Sequence, residues 1–185
     1  MEYLKEISYN NVYSITIKIN EIEYKLSSHR FYDKDILSPN ETKIMVHYDD
    51  YYGQQWVFVE KYKGLYEIRL NEDDSSFNRI GFYLNVINND NLVLSDEAIS
   101  LWKIEKINKE IDENKYYIKN AKNNYYLYVN IHSIRDEGSF YAEVKKKLIE
   151  NEKDKFIFSL NILNKKNSII NLLFNNKKNI ENEFL

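Results

Sequence analysis

His29, His47 and His132 are the side chains in this sequence best suited to acid–base or metal chemistry. His29 precedes Asp33 and Asp35, a grouping that could hold a metal or share a proton. The spacing lacks the i, i+4 helical logic of zinc sites, and Ser38-Pro39 marks the stretch as loop. His47 runs into Tyr48-Asp49-Asp50, a polar run that reads as an exposed turn, and His132 has no partner close in sequence. Asp49-Asp50 and Asp73-Asp74 are adjacent carboxylates, whereas glycosidase chemistry wants two carboxyl groups facing each other across a cleft. Adjacent residues of a strand point to opposite faces, so both pairs read as solvated turns. There is no cysteine, no glycine-rich phosphate loop and no Gly-x-Ser-x-Gly elbow. The expectation is a protein that is not an enzyme and needs no metal and no cofactor.

The elements that would position any site repeat three times. A Tyr-x-Ile strand starts at Tyr13, Tyr66 and Tyr116, at intervals of 53 and 50 residues. A second strand carries tyrosine beside leucine: Tyr24-Lys25-Leu26, Tyr83-Leu84-Asn85-Val86 and Tyr126-Leu127-Tyr128-Val129. A third candidate follows in Lys43–Val46, Asn91–Leu94 and Phe140–Val144. An aromatic strand closes each unit: Trp56-Val57-Phe58, Trp102-Lys103-Ile104 and Phe156-Ile157-Phe158. Apolar positions alternate with period two, and polar turns such as Asn88-Asn89-Asp90 and Asn123-Asn124 separate the runs. Three units of about 50 residues with four strands each predict an all-β chain, a β-trefoil. A propeller would want at least four blades. The expected domain covers residues 1–160, with repeats at about 8–60, 61–110 and 111–160. Residues 161–185 form a C-terminal extension that docks on the barrel or on a partner. Lys145-Lys146-Lys147 and the following Leu148–Asp154 read as a short helical insertion in the third unit, with Glu150 pairing back to Lys146 or Lys147.

Composition narrows the partners. Twenty-six basic residues against 29 acidic ones leave a net charge of −3, so no dominant positive field gathers nucleic acid. No run approaches the roughly 20 apolar residues that span a bilayer. The start, Met1-Glu2-Tyr3-Leu4-Lys5-Glu6, lacks the apolar core of a signal peptide. A cytoplasmic protein is expected, with leaderless export in a toxin-like complex as the lesser alternative. An aromatic share of 15% with only four glycines and one proline excludes collagen-like and disordered chains.

Gln54-Gln55-Trp56 resembles the Gln-x-Trp signature of ricin-type lectin domains, which are three-lobed β-trefoils. The strand order over residues 8 to 158 is also similar to the trefoil hemagglutinins of clostridial toxin complexes. The resemblance implies that Trp56, Trp102 and Phe156 pack in the core. It also implies a sugar site in which an acidic or amide side chain, supported by the glutamine, accepts hydrogen bonds from hydroxyls beside an aromatic ring. Carried over residue by residue, the acidic position falls on Lys25, Asn85 and Tyr128, and the glutamine position on Gln54, Ser100 and Asp154. No lobe has both parts. The second lobe keeps most, so the expected sugar pocket is Asn85 with Asn88, Asn89, Asp90 and Asn91. Gln54 and Lys25 form a weaker candidate in the first lobe. The implied function is carbohydrate binding. The alternative is a trefoil that has lost sugar binding and serves protein–protein interaction as a complex subunit, inhibitor or regulatory factor. The loops Ser28–Glu41 and Asn71–Gly81, with Tyr32 as a contact residue, would then join the tail as docking elements.

Overall fold

The computed structural model describes residues 11–28, 44–49, 54–71, 83–88, 90–107, 114–134 and 138–165. The His29, Asp33 and Asp35 group, Tyr32, most of the two long loops, Asp73-Asp74, Asn89 and residues 166–185 lie outside them. Twelve strands follow in order. The first unit holds β1 (Asn11–Ile19), β2 (Ile22–Ser28), β3 (Ile44–His47) and β4 (Gln55–Tyr62). The second holds β5 (Leu65–Leu70), β6 (Tyr83–Ile87), β7 (Asn91–Ser95) and β8 (Trp102–Lys106). The third holds β9 (Lys115–Asn120), β10 (Tyr126–Ile134), β11 (Ser139–Lys145) and β12 (Phe158–Lys165). All pairings are antiparallel, and the chain is the all-β trefoil expected from the repeats.

Six strands close on themselves. β1 pairs β4, β4 pairs β5, β5 pairs β8, β8 pairs β9, β9 pairs β12, and β12 returns to β1. Closure leaves no free sheet edge in the ring. The remaining strands form three hairpins, β2–β3, β6–β7 and β10–β11. Alternation drives this arrangement. Along β5 and β9 every second residue is buried, so Tyr66 and Ile68, and likewise Tyr116 and Ile118, point into the barrel. Trp56, Trp102, Phe58 and Phe158 are almost wholly enclosed with them. Each contributes roughly 2–3 kcal/mol by leaving water. Tyr13 meets Phe58 edge-on at 5.2 Å, a favoured aromatic geometry.

The ladder register fixes which residues of the three lobes are equivalent. Phe58 lies opposite Ile68, Ile104 opposite Ile118, and Leu160 opposite Ile15. Two residues earlier on the aromatic strand stand Trp56, Trp102 and Phe158. The third lobe's counterpart of the tryptophans is therefore Phe158, not Phe156. Phe156 instead ends a 3-10 helix (Glu150–Phe156) and occupies the glutamine position, which shifts that position from Asp154 to Phe156. Both phenylalanines are fully buried. The helix is the insertion expected in this unit, but Glu150 pairs forward with Lys153 rather than back to Lys146 or Lys147.

A matching register in the hairpins sets Leu26, Leu84 and Leu127 opposite Val46, Leu94 and Val144. The Trp56 and Trp102 indoles each donate a 2.9 Å bond to the carbonyls of Leu26 and Leu84. The residue after each leucine is then Ser27, Asn85 or Tyr128. Ser27, not Lys25, is the first lobe's counterpart of Asn85; Lys25 matches Tyr83 and Tyr126. The lobes also differ in how their hairpins join. β3 and β11 pair through Met45–His47 and Ser139–Tyr141, so the first and third hairpins share one ladder. No such ladder ties β6–β7 to them among the described residues.

Candidate functional site

The same pocket position, under the strap that links third and fourth strands, has three different fillings. In the second lobe it is sealed. Asn85 is fully buried. Its amide nitrogen donates to Ser95 Oγ, to the Glu97 carbonyl at 2.7 Å and more weakly to the Tyr83 carbonyl at 3.4 Å. Its amide oxygen accepts from the backbone N–H groups of Ile99 at 2.9 Å and Ser100 at 2.8 Å. The Ser100 hydroxyl in turn accepts from the Val86 N–H at 2.9 Å. An amide offers two donors and one double acceptor, and every one is used. Asn85 folds the Glu97–Ser100 strap and has no capacity left for a ligand. Asn88, Asp90 and Asn91 are exposed at the far turn of the β6–β7 hairpin, where Asn88 takes a left-handed φ of 49°. Two to three residues of strand, about 7–10 Å, separate them from Asn85. The structure therefore does not gather these residues into one pocket.

In the first lobe the equivalent residue, Ser27, is buried, and the start of the strap is fastened differently. His47, expected as an exposed turn residue, ends β3 and is 8% exposed, because Lys25 on one side and Ser139 on the other pair with it. The imidazole Nδ1 accepts the Asp49 N–H at 3.0 Å, which places the ring proton on Nε2. Gln54, buried beside Trp56, donates from Nε2 to the Asp49 carbonyl at 2.8 Å. Asp49 is thus clamped at both ends of its peptide while its side chain faces solvent. Gln54 does support an acidic residue, but that residue is Asp49 on the strap.

Tyr48 supplies the ring. It is 47% exposed, yet firmly seated. It stacks on His47 at 5.2 Å with 20° between planes and meets Tyr24 edge-on at 6.4 Å. Its edge lies on Gly138 of the third lobe, where an added Cβ would stand 1.8 Å from Tyr48 Cε1. Gly138 also holds φ at +89°, a region L side chains rarely adopt. The first lobe therefore brings together a seated, part-exposed ring, a carboxylate carried on a clamped backbone, and Lys25 across the ladder from His47. The sequence points to Gln54 and Lys25, which lie beside this strap, and not to Tyr48 and Asp49. The tyrosine–aspartate run one residue past a strand end was the available signal.

The third lobe fills the position with rings. Tyr128, 3% exposed, packs on Phe156 at 4.7 Å and donates its hydroxyl to Glu152 at 2.8 Å. Burial first, then the bond to Glu152 and the charges of Glu152, Glu143 and Asp154, pushes its pKa well above the usual tyrosine range. His132 is exposed and faces the other oxygen of Glu152 at 3.9 Å. Among the described residues no three His, Asp or Glu side chains gather to hold a metal, and no helix is long and apolar enough to cross a membrane.

A ring of six barrel strands carrying three hairpins defines the class of the chain, the β-trefoil. Comparison with known proteins agrees. No protein-family model matches the sequence, and no curated protein matches it either. Solved structures do match in shape. The designed three-fold symmetric protein ThreeFoil superposes with a TM-score of 0.56 at 16% identity, over 82% of this chain and 99% of that one. SeviL, solved bound to asialo-GM1 saccharide, gives 0.53 at 16% identity, over 83% of this chain and 98% of that one. The BEL β-trefoil gives 0.54 at 11% identity, over 88% of this chain and 100% of that one. At such identities the likeness carries the fold alone.

Proposed function

We propose that this protein is a non-catalytic, lectin-like module that binds a saccharide at the first-lobe strap. The observation that carries the reading is the double clamp on Asp49 beside the seated Tyr48 ring. A carboxylate accepts hydrogen bonds from sugar hydroxyls, and an aromatic face covers the apolar face of a pyranose. The ring and the backbone that carries the carboxylate are held before any ligand arrives, which lowers the ordering cost of binding. The saccharide bound by the trefoil SeviL supports the choice of ligand class. Lys25 adds a donor at the rim. The exposed Asn88, Asp90 and Asn91 turn is a second, separate place where hydroxyls could be met.

The test is a broad glycan array, including the asialo-GM1 saccharide, with Tyr48→Ala and Asp49→Asn beside the parent protein. A reproducible signal lost in both variants, with folding intact, is the expected result. Signal retained in both removes the first-lobe site. A second reading, a protein-interaction trefoil, is favoured by the exposed Tyr62 on β4 and Ile162 and Leu163 on β12, the two strands that flank β1. It predicts a blank array and a stoichiometric complex, seen by native mass spectrometry, that Leu163→Lys with Tyr62→Lys abolishes.

A further inference from the structure

We infer that the binding surface crosses the seam from the first lobe to the third, so that the ligand is an extended oligosaccharide rather than a single sugar. This rests on the first-lobe reading above. Three observations lead across the seam. Tyr48, on the first lobe's strap, is seated on Gly138 of the third lobe, so the ring already belongs to both. The β3–β11 ladder sets His47 opposite Ser139 and Met45 opposite Tyr141, and β10 continues the sheet with Asn130 opposite Tyr141 and Tyr128 opposite Glu143. Alternation then puts Ser139, Tyr141 and Glu143 on one face of β11, the face away from the buried Ala142 and Val144.

That face has the chemistry a sugar chain needs. Tyr141 and Asn130 are half-buried and lie side by side. Glu143 accepts from the Asn130 amide at 2.8 Å and from Lys145 at 3.1 Å, which orients its carboxylate. Ser139 is fully buried and forms floor, so the face offers Tyr141 and Glu143; from Gly138, where Tyr48 sits, to Glu143 the strand runs five steps, about 17 Å, longer than one pyranose ring. The second lobe offers no such continuation: no ladder joins its hairpin to another lobe's hairpin among the described residues, and its pocket position is sealed.

The experiment is calorimetric titration with cello-, chito- and galacto-oligosaccharides of one, two and four units. Parent protein, Asn130→Ala and Glu143→Gln are compared, each checked for an unchanged thermal midpoint. In at least one series the affinity is expected to rise about tenfold or more from one unit to four. Asn130→Ala and Glu143→Gln, both well away from Asp49, should lower the four-unit affinity by about fivefold or more and leave the one-unit affinity alone. Equal affinity at all lengths, or four-unit affinity untouched by both variants, overturns the inference and leaves the first-lobe reading standing. If no saccharide of any length binds, the first-lobe reading falls and the inference falls with it.

Discussion

The first and second lobes put different chemistry at the same place, and the contrast separates a residue that builds the fold from residues free to meet a ligand. In the second lobe Asn85 turns inward and ties down the strap from Glu97 to Ser100 with its whole hydrogen-bonding capacity. In the first lobe the equivalent side chain is Ser27, which among the described residues reaches the Lys25 carbonyl at 3.1 Å. The strap is held from other directions, by His47 and Gln54, and these grip the backbone of Asp49. The Asp49 side chain is then left facing solvent. An amide at a lectin-like position is therefore no mark of a sugar site; what matters is whether its groups are already committed to the chain.

The sharpest way to break this comparison is Asn85→Ala. It leaves the buried Ser100 N–H and the part-buried Ile99 N–H without their partner, while the Glu97 carbonyl keeps the Ser95 hydroxyl. Each such group costs about 1–3 kcal/mol, and partial relaxation leaves a net loss of about 3 kcal/mol. Urea unfolding should show that drop, with glycan affinity unchanged at temperatures where the variant is folded. A stable variant that has lost glycan binding would return Asn85 to the ligand side. Asn85→Ala is expected to destabilise far more than Ser27→Ala, whose single bond is weak.

Much of the fold was legible because period-two alternation and the threefold return of Tyr-x-Ile are local signals. The barrel needs Ile15, Ile68 and Ile118 inside, and the sequence marks each with a tyrosine two residues earlier. The third aromatic strand misled for a physical reason. Phe156 and Phe158 are two apart, so both suit the same face, and alternation alone cannot say which one replaces tryptophan. The ladder decides for Phe158, since Leu160 and not Phe158 faces Ile15. The site was less legible. His47 is buried by its pairing with Ser139, a residue far along the chain, and Tyr48 is seated on Gly138 from the same distant strand. Nothing near His47 in sequence foretells either contact.

Gly138→Ala is the next largest perturbation and bears on the first lobe. The new methyl would overlap the Tyr48 ring, and the left-handed φ adds strain, together roughly 2 kcal/mol. The ring should be displaced, and glycan affinity should fall as it does in Tyr48→Ala. In a Tyr48→Ala background the same glycine change should cost no further affinity, because its effect on binding passes through the ring. An additional loss in the double variant would mean that Gly138 acts elsewhere.

Smaller still is Trp102→Phe, which imitates the third lobe. It removes the indole bond to the Leu84 carbonyl and is expected to cost about 1–2 kcal/mol in urea unfolding. The third lobe tolerates Phe158 at this position because the neighbouring space is packed by Tyr128 on Phe156. A neutral Trp102→Phe would mean that the indole bond contributes nothing and that the three lobes are held by packing alone.

The smallest effect concerns that third filling and is read through pH. Tyr128 in the folded protein resists ionisation, through burial and then through its bond to Glu152 and the surrounding carboxylates. In the unfolded chain it titrates near pH 10, the ordinary tyrosine value. Below that pH both states keep the proton, and the contribution of Tyr128 to stability is fully present. Above it the unfolded state loses the proton first, the folded state binds more protons, and stability falls as pH rises. Urea midpoints at pH 8 and pH 10.5 should therefore drop more for the parent protein than for Tyr128→Phe, while the other tyrosines contribute alike to both. Parallel slopes would show that the hydroxyl ionises as freely when folded as when unfolded. The third lobe's strap would then be held by the Tyr128–Phe156 ring contact alone, with the polar bond to Glu152 incidental.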